Sequence, residues 1–158
     1  MYNVIFVCTG NTCRSPMAEA LLKKRLKADG IKGVKVDSCG LNPEIGMPVS
    51  PYAVKTLTKF GVKNFRHKAQ LLTRELYEKA DLLVCMTESH KLLIRGASDG
   101  AEIVTVAQLT GGGDVDDPWG GSEESYFRTA QYIDYACADV IKYITAKMKD
   151  KPVKTKKK

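Results

Sequence analysis

Val4-Ile5-Phe6-Val7-Cys8-Thr9-Gly10-Asn11-Thr12-Cys13-Arg14-Ser15-Pro16 joins an apolar run to a helix start through one short polar loop. The run reads as a buried strand, and Ser15-Pro16 as the opening of a helix. Between them, Cys8 to Arg14 forms a compact oxyanion cradle. In so short a loop successive backbone N–H groups converge on one point, where the helix N-terminus adds positive potential. Gly10 and Asn11 suit the unusual backbone angles such a loop needs. Arg14 can grip two oxygens of a bound anion with its planar fork. Cys8, beneath that anion, is expected to be held as thiolate by the same donors. A thiolate under a trapped phosphate is the starting geometry for phosphoryl transfer to sulfur, with Thr9, Gly10, Asn11, Thr12, Cys13 and Ser15 as the phosphate-binding loop. Taken singly, Cys8 is a small hydrophobe at a strand end and Gly10-Asn11 a turn pair. Their placement together carries the chemistry.

Far downstream, Gly113-Asp114-Val115-Asp116-Asp117-Pro118-Trp119-Gly120-Gly121 offers the proton such a transfer requires. A leaving group departing from phosphorus needs a proton, and a loop carboxylic acid can supply it. Asp117 is the candidate, because Pro118 fixes the backbone after it and Trp119 can wall an adjacent slot. Asp114 and Asp116 read as solvated carboxylates or turn formers. Alone, Asp-Pro is ordinary turn chemistry.

The rest of the chain alternates strands and helices. Tyr2–Cys8 is the first strand, and Ser15–Ala28 a helix with Ala18, Leu21, Leu22 and Leu26 on one face and Gly30 as its stop. Val34–Ser38 is the second strand. Ser50-Pro51 opens a helix through Phe60, closed by Gly61. Ala80–Met86 is a third, buried strand, Glu88–Arg95 a short helix with His90 on its solvated face, and Ile103–Val106 the fourth strand. Ser122 starts a last helix to about Met148, with Tyr126, Ala130, Ile133, Cys137, Ile141 and Ile144 facing the core. The expected fold is a single α/β domain over residues 1–149: an open, parallel, four-stranded sheet with helices on both faces and a ligand site at the carboxyl edge of strand one.

Composition agrees. The 158 residues, 44% hydrophobic, suffice for one self-contained core. No apolar run approaches a membrane span, and no leader is visible. The five cysteines stand at 8, 13, 39, 85 and 137 without metal-type pairs; with two histidines, His67 and His90, this predicts no metal and no cofactor. Two thiols in one loop suit a reducing cytoplasm. The net charge of +7 is concentrated: residues 151–158 hold five of the 25 basic residues, leaving 20 against 18 acidic. Residues 150–158 are expected to be a solvated, disordered tail rather than a nucleic-acid arm, and no nucleic-acid motif accompanies them.

On these residues the chain resembles the low-molecular-weight protein tyrosine phosphatases. The match runs to about Lys149. It takes in residues 7–19, Val36-Asp37-Ser38, His67 before an apolar stretch, residues 81–86 and Asp117-Pro118. The resemblance implies a flavodoxin-like sheet, a phosphorylated protein as substrate and inorganic phosphate as product. It implies Cys8 as nucleophile, Arg14 as phosphate clamp, and Asp117 as general acid and then base. It further implies a left-handed Asn11 held by Ser15 and Ser38, a Ser15 hydrogen bond to Cys8, and His67 near Glu19 and Asp37. Cys13 matches a second loop cysteine that can close a reversible disulfide with the nucleophile.

Two departures bear on the substrate. Thr12 stands where tyrosine-specific members carry an apolar residue; Cys-Thr-Gly-Asn-Thr-Cys-Arg resembles the bacterial protein arginine phosphatases. The aromatic pair usual after Asp-Pro is Trp119-Gly120, and the opposite wall aligns loosely with Pro43. A phenyl ring is best held between two flat faces, whereas a guanidinium can use a polar rim and one wall, so Thr12 and Trp119 favour phosphoarginine over phosphotyrosine. The rival on this scaffold is an arsenate reductase, which needs further thiols to relay a disulfide; residues 80–96 offer only Cys85.

Overall fold

A computed structural model describes residues 1–95 and 101–150. Its elements, in chain order, are β1 (Tyr2–Cys8), α1 (Arg14–Ala28), β2 (Val34–Gly40), α2 (Pro51–Lys59), α3 (Arg74–Lys79), β3 (Leu82–Cys85), α4 (Glu88–Ile94), β4 (Glu102–Thr105), α5 (Val106–Thr110) and α6 (Glu123–Asp150). The strands form one parallel sheet in the order β2-β1-β3-β4. The chain therefore reverses its direction of winding beside β1, and the loop after β1 opens at that switch point.

The apolar run of β1 is buried on both sides, as a central parallel strand requires. Val4, Phe6 and Cys8 face a core shared with α1, α2 and α6, while Ile5 and Val7 face a smaller one under Tyr77 and Ile94 of α3 and α4. Apolar packing dominates the seam between α1 and α6. Leu22 and Ile144 are wholly buried, each stabilising by about 1.5–3 kcal/mol. Arg25 forks onto Asp134 at 3.0 and 3.2 Å, but this pair is about one-third exposed and contributes only about 0.2–1 kcal/mol. Among the described residues no helix is long and apolar enough to cross a membrane.

The parallel four-stranded sheet expected from the sequence is present, with two additions. The helices α3 and α5 have six and five residues, too few for a periodic stripe to show. Each is set by its cap. Thr73 Oγ1 accepts from Leu76 N, and Thr105 and Gln108 form a reciprocal capping box ended by a left-handed Gly111. The second strand also runs two residues beyond Ser38, to Gly40, which pairs with Cys8. The tail expected from residue 150 onward lies, from residue 151, outside the described residues.

Candidate active site

Residues 9–13 turn between Cys8 at the end of β1 and Arg14 at the start of α1. Asn11 makes the turn possible. Its φ is 56°, a left-handed conformation that asparagine adopts more readily than most residues. Its wholly buried side chain uses both ends: Nδ2 donates to Ser15 Oγ (2.8 Å) and Ser38 Oγ (3.1 Å), and Oδ1 accepts from Gln70 N (2.9 Å) and His67 Nε2 (2.7 Å). Ser38 passes its own proton to Glu19 Oε1 at 2.8 Å. His67 Nδ1 stands 3.7 Å from the same carboxylate, and burial holds His67 below the ordinary histidine range against the pull of Glu19. Gln70 donates through its side chain to Ser38 O, so β2 and the segment before α3 brace the turn together.

Gly40 closes the loop from behind. A Cβ there would lie 2.4 Å from the main-chain oxygen of Thr9 and 3.2 Å from Asn11 N. Only a residue without a side chain lets β2 pass this close.

Cys8 Sγ sits at the base, 2.8 Å from Ser15 Oγ and 3.2 Å from Asn11 N. The donors expected to favour a thiolate are in place: the Ser15 hydroxyl and N–H, the Arg14 charge and the Asn11 N–H all pull the thiol down. Burial opposes them and leaves Cys8 above its ordinary value. The hydrogen bonds fit this balance. Ser15 has one proton, which can go to Cys8 Sγ at 2.8 Å or to Cys39 O at 3.4 Å. A thiol donates to Ser15 and sends that proton to Cys39; a thiolate takes it.

Arg14 is buried, with Nη1 donating to Val115 O at 3.2 Å and Nη2 lying 3.5 Å from Asp117 Oδ2. Val115 is itself anchored, its N–H donating to Met86 O just after β3. Asp117, half exposed, accepts from Trp119 N at 3.1 Å in a local turn. Residues 8–14 with Asp117 and Trp119 enclose a cleft of about 190 Å³. Pro43 is not among its walls, so Trp119, largely solvent-exposed, is the one aromatic face. Asp114 is more than a solvated carboxylate: its Oδ1 accepts from Glu88 N at the start of α4.

Thr12 lies on the rim, half-buried, with its carbonyl accepting from Ser50 N. Cys13 Sγ rests 3.3 Å from Tyr126 Oη, which also receives the Ser50 hydroxyl at 3.0 Å. Of the other cysteines, Cys85 is fully buried within β3 and pushed up to about 12 by burial.

One expectation is reversed. His90 is buried rather than solvated, and its Nε2 lies 2.9 Å from Thr9 Oγ1. The spacing Thr87-x-x-His90 was its only trace in the sequence: Thr87 caps α4 and bonds to the ring. Leu92 and Leu93, which an apolar count would bury, are exposed instead.

Comparison with known proteins adds to this geometry. The family model described as low molecular weight phosphotyrosine protein phosphatase matches residues 3–151. The protein-arginine-phosphatase of Bacillus subtilis (strain 168) is 40% identical over 131 residues, covering 80% of this chain and 86% of that one. The low molecular weight protein-tyrosine-phosphatase PtpB of Staphylococcus haemolyticus is 35% identical over 134 residues, covering 84% and 92%. A structure of the arginine phosphatase YwlE, a cysteine-to-serine variant with its active-site serine phosphorylated, superposes with a TM-score of 0.81 at 37% identity, covering 90% of this chain and 95% of that one.

Proposed function

The chain belongs to the low molecular weight phosphotyrosine protein phosphatase family, and from that premise we propose that it hydrolyses phosphorylated protein side chains, phosphoarginine ahead of phosphotyrosine, through a phosphocysteine on Cys8. The observation that carries the reading is the convergence of Cys8 Sγ, the Arg14 guanidinium and the Asp117 carboxylate on one small cleft. YwlE, phosphorylated on the serine of its cysteine-to-serine variant, supports phosphoryl transfer to the nucleophile.

In the first step Cys8, its thiol proton released to solvent, attacks phosphorus in line, and an S–P bond forms as the bond to the side-chain atom breaks. The electron pair leaves with that atom, which takes a proton from Asp117. Arg14 and the loop N–H groups stabilise the equatorial oxygens. Water then attacks phosphorus and gives a proton to Asp117, and the S–P bond breaks to release inorganic phosphate. Every step uses groups of the chain itself and calls on neither metal nor cofactor. The same reading places the enzyme in a reducing cytoplasm and gives Cys13 the role of capturing oxidised Cys8. A Cys8–Cys13 linkage seen by mass spectrometry in peroxide-inactivated enzyme checks that role.

Thr12 and Trp119 decide the substrate in this reading. A phosphoguanidinium has N–H donors that an apolar rim leaves unpaired, at about 1–3 kcal/mol. Measuring kcat/KM on matched phosphoarginine and phosphotyrosine peptides tests it. Cys8→Ser should abolish both activities, and Asp117→Asn should slow both by about 10²–10⁴-fold. Thr12→Ile should move the ratio towards phosphotyrosine by about 10- to 100-fold. Turnover by Cys8→Ser would refute the mechanism; an unchanged ratio in Thr12→Ile would return the preference to phosphotyrosine.

A further inference from the structure

His90 lies outside the loop and the acid, yet it ties α4 to the cradle. Its Nδ1 faces Thr87 twice, at 3.2 Å from the main-chain N–H and 2.9 Å from Oγ1. A main-chain N–H can only donate, so Nδ1 must be the bare, accepting nitrogen, and the ring proton resides on Nε2. That proton points at Thr9 Oγ1, 2.9 Å away. The ring stays neutral: burial and the charge of Arg14 push it down to about 4, against the opposite pull of Asp114 and Asp117.

The tautomer decides what Thr9 can do. With Nε2 as acceptor, the Thr9 hydroxyl would spend its proton on the histidine. With Nε2–H as donor, Thr9 receives a proton from behind and keeps its own for the cleft that it lines. We propose that His90 is a positioning residue, its tautomer set by Thr87, which turns the Thr9 hydroxyl into a donor to an anionic oxygen of the bound phosphoryl group. This rests on the phosphatase reading of the cradle and adds a side-chain donor to its backbone N–H groups. Because the donor meets the phosphoryl group and not the leaving group, it serves phosphoarginine and phosphotyrosine alike, unlike Thr12.

His90→Asn and His90→Gln separate the two ends of the ring. Asparagine offers an acceptor near Nδ1 for Thr87 but cannot reach Thr9; glutamine reaches out with a donor near Nε2. His90→Asn should raise the inhibition constant of inorganic phosphate about tenfold and lower kcat/KM on both substrates by a similar factor. His90→Gln should recover most of that loss. Thr9→Ala should reproduce the loss, and adding His90→Asn to it should cost nothing more. Imidazole ¹⁵N shifts should report the Nε2–H tautomer. An Nδ1–H tautomer, a full additional loss in the double variant, or a loss confined to one substrate would overturn the proposal. Thr9→Val removes the hydroxyl while leaving Thr87 and His90, the two halves of the α4 cap, in place, so an unchanged phosphate inhibition constant in that variant overturns it even if the His90 variants fail to fold. The phosphatase reading fails separately, if the wild-type protein hydrolyses neither substrate.

Discussion

Ser15 is the residue on which the ionisation of Cys8 turns. It is wholly buried, bonded to Cys8 and Asn11, and its single proton serves whichever form of the thiol is present. Removing the hydroxyl takes away a donor to the thiolate while leaving the burial that opposes ionisation, so Ser15→Ala should push Cys8 further up. Alkylation of Cys8 by iodoacetamide at neutral pH should slow about tenfold, and its pH midpoint should move upward. A midpoint that stays put would mean that Arg14 and Asn11 suffice. At this scale the sequence was informative where the chemistry is local. Cys8, Arg14 and Ser15 sit within one octet, and Asp117 stands out beside Pro118 and Trp119. Ser38 and His67 emerged only through resemblance, because their work is done by contacts across 27 and 56 positions of chain.

At the scale of elements, the cradle is a loop pressed between two parallel strand ends and a helix. Gly40 shows how tight the fit is, and its φ is not in the left-handed region, so the need for glycine is steric rather than conformational. Nothing in the sequence marks such a glycine, since the atom it avoids belongs to a residue 31 positions away. In Gly40→Ala the Cβ must displace the Thr9 carbonyl and with it the hydrogen bond from Asn42 N. The expected result is a fall in kcat/KM of about 10- to 100-fold, since small misplacements of reacting groups are that costly. Full activity would mean that β2 can yield. The short helices α3 and α5 leave no periodic mark in the sequence for a related reason: a cap and one turn hold them, while their hydrophobic stripe is too short to count. The reverse holds for α4, visible in outline but turned otherwise than expected, because His90, tied to Thr87, faces inward together with Ile94.

For the whole molecule, stability follows from which groups must stay neutral inside. His90 titrates near 6.5 when free and about 4 in the fold, and His67 is depressed too. Between those values the unfolded chain binds protons that the folded one refuses, so stability falls as pH drops from about 6.5 to about 4. The buried thiols act at the other end. Cys85 and Cys137 are raised from 9.0 to about 12, so the unfolded chain releases protons first and stability falls again as pH rises above 9. Urea midpoints across this range should trace a dome, and His90→Asn should flatten its acid side alone. A flat acid limb in the wild-type protein would contradict the neutral burial of both histidines. The parallel architecture itself was legible, since strand and helix alternate along the chain and β1 is apolar on both faces.

The bracing of one seven-residue loop by Ser38, Ser50, His67, Gln70, His90 and Val115 has a kinetic consequence. None of these partners is near in sequence, so the loop cannot take shape when β1 and α1 first meet. It must wait for distant segments to arrive, the slow part of folding in a parallel topology. During refolding, helical signal should return before the cleft can grip an oxyanion. A nascent chain would thus remain chemically silent until nearly all of it had folded.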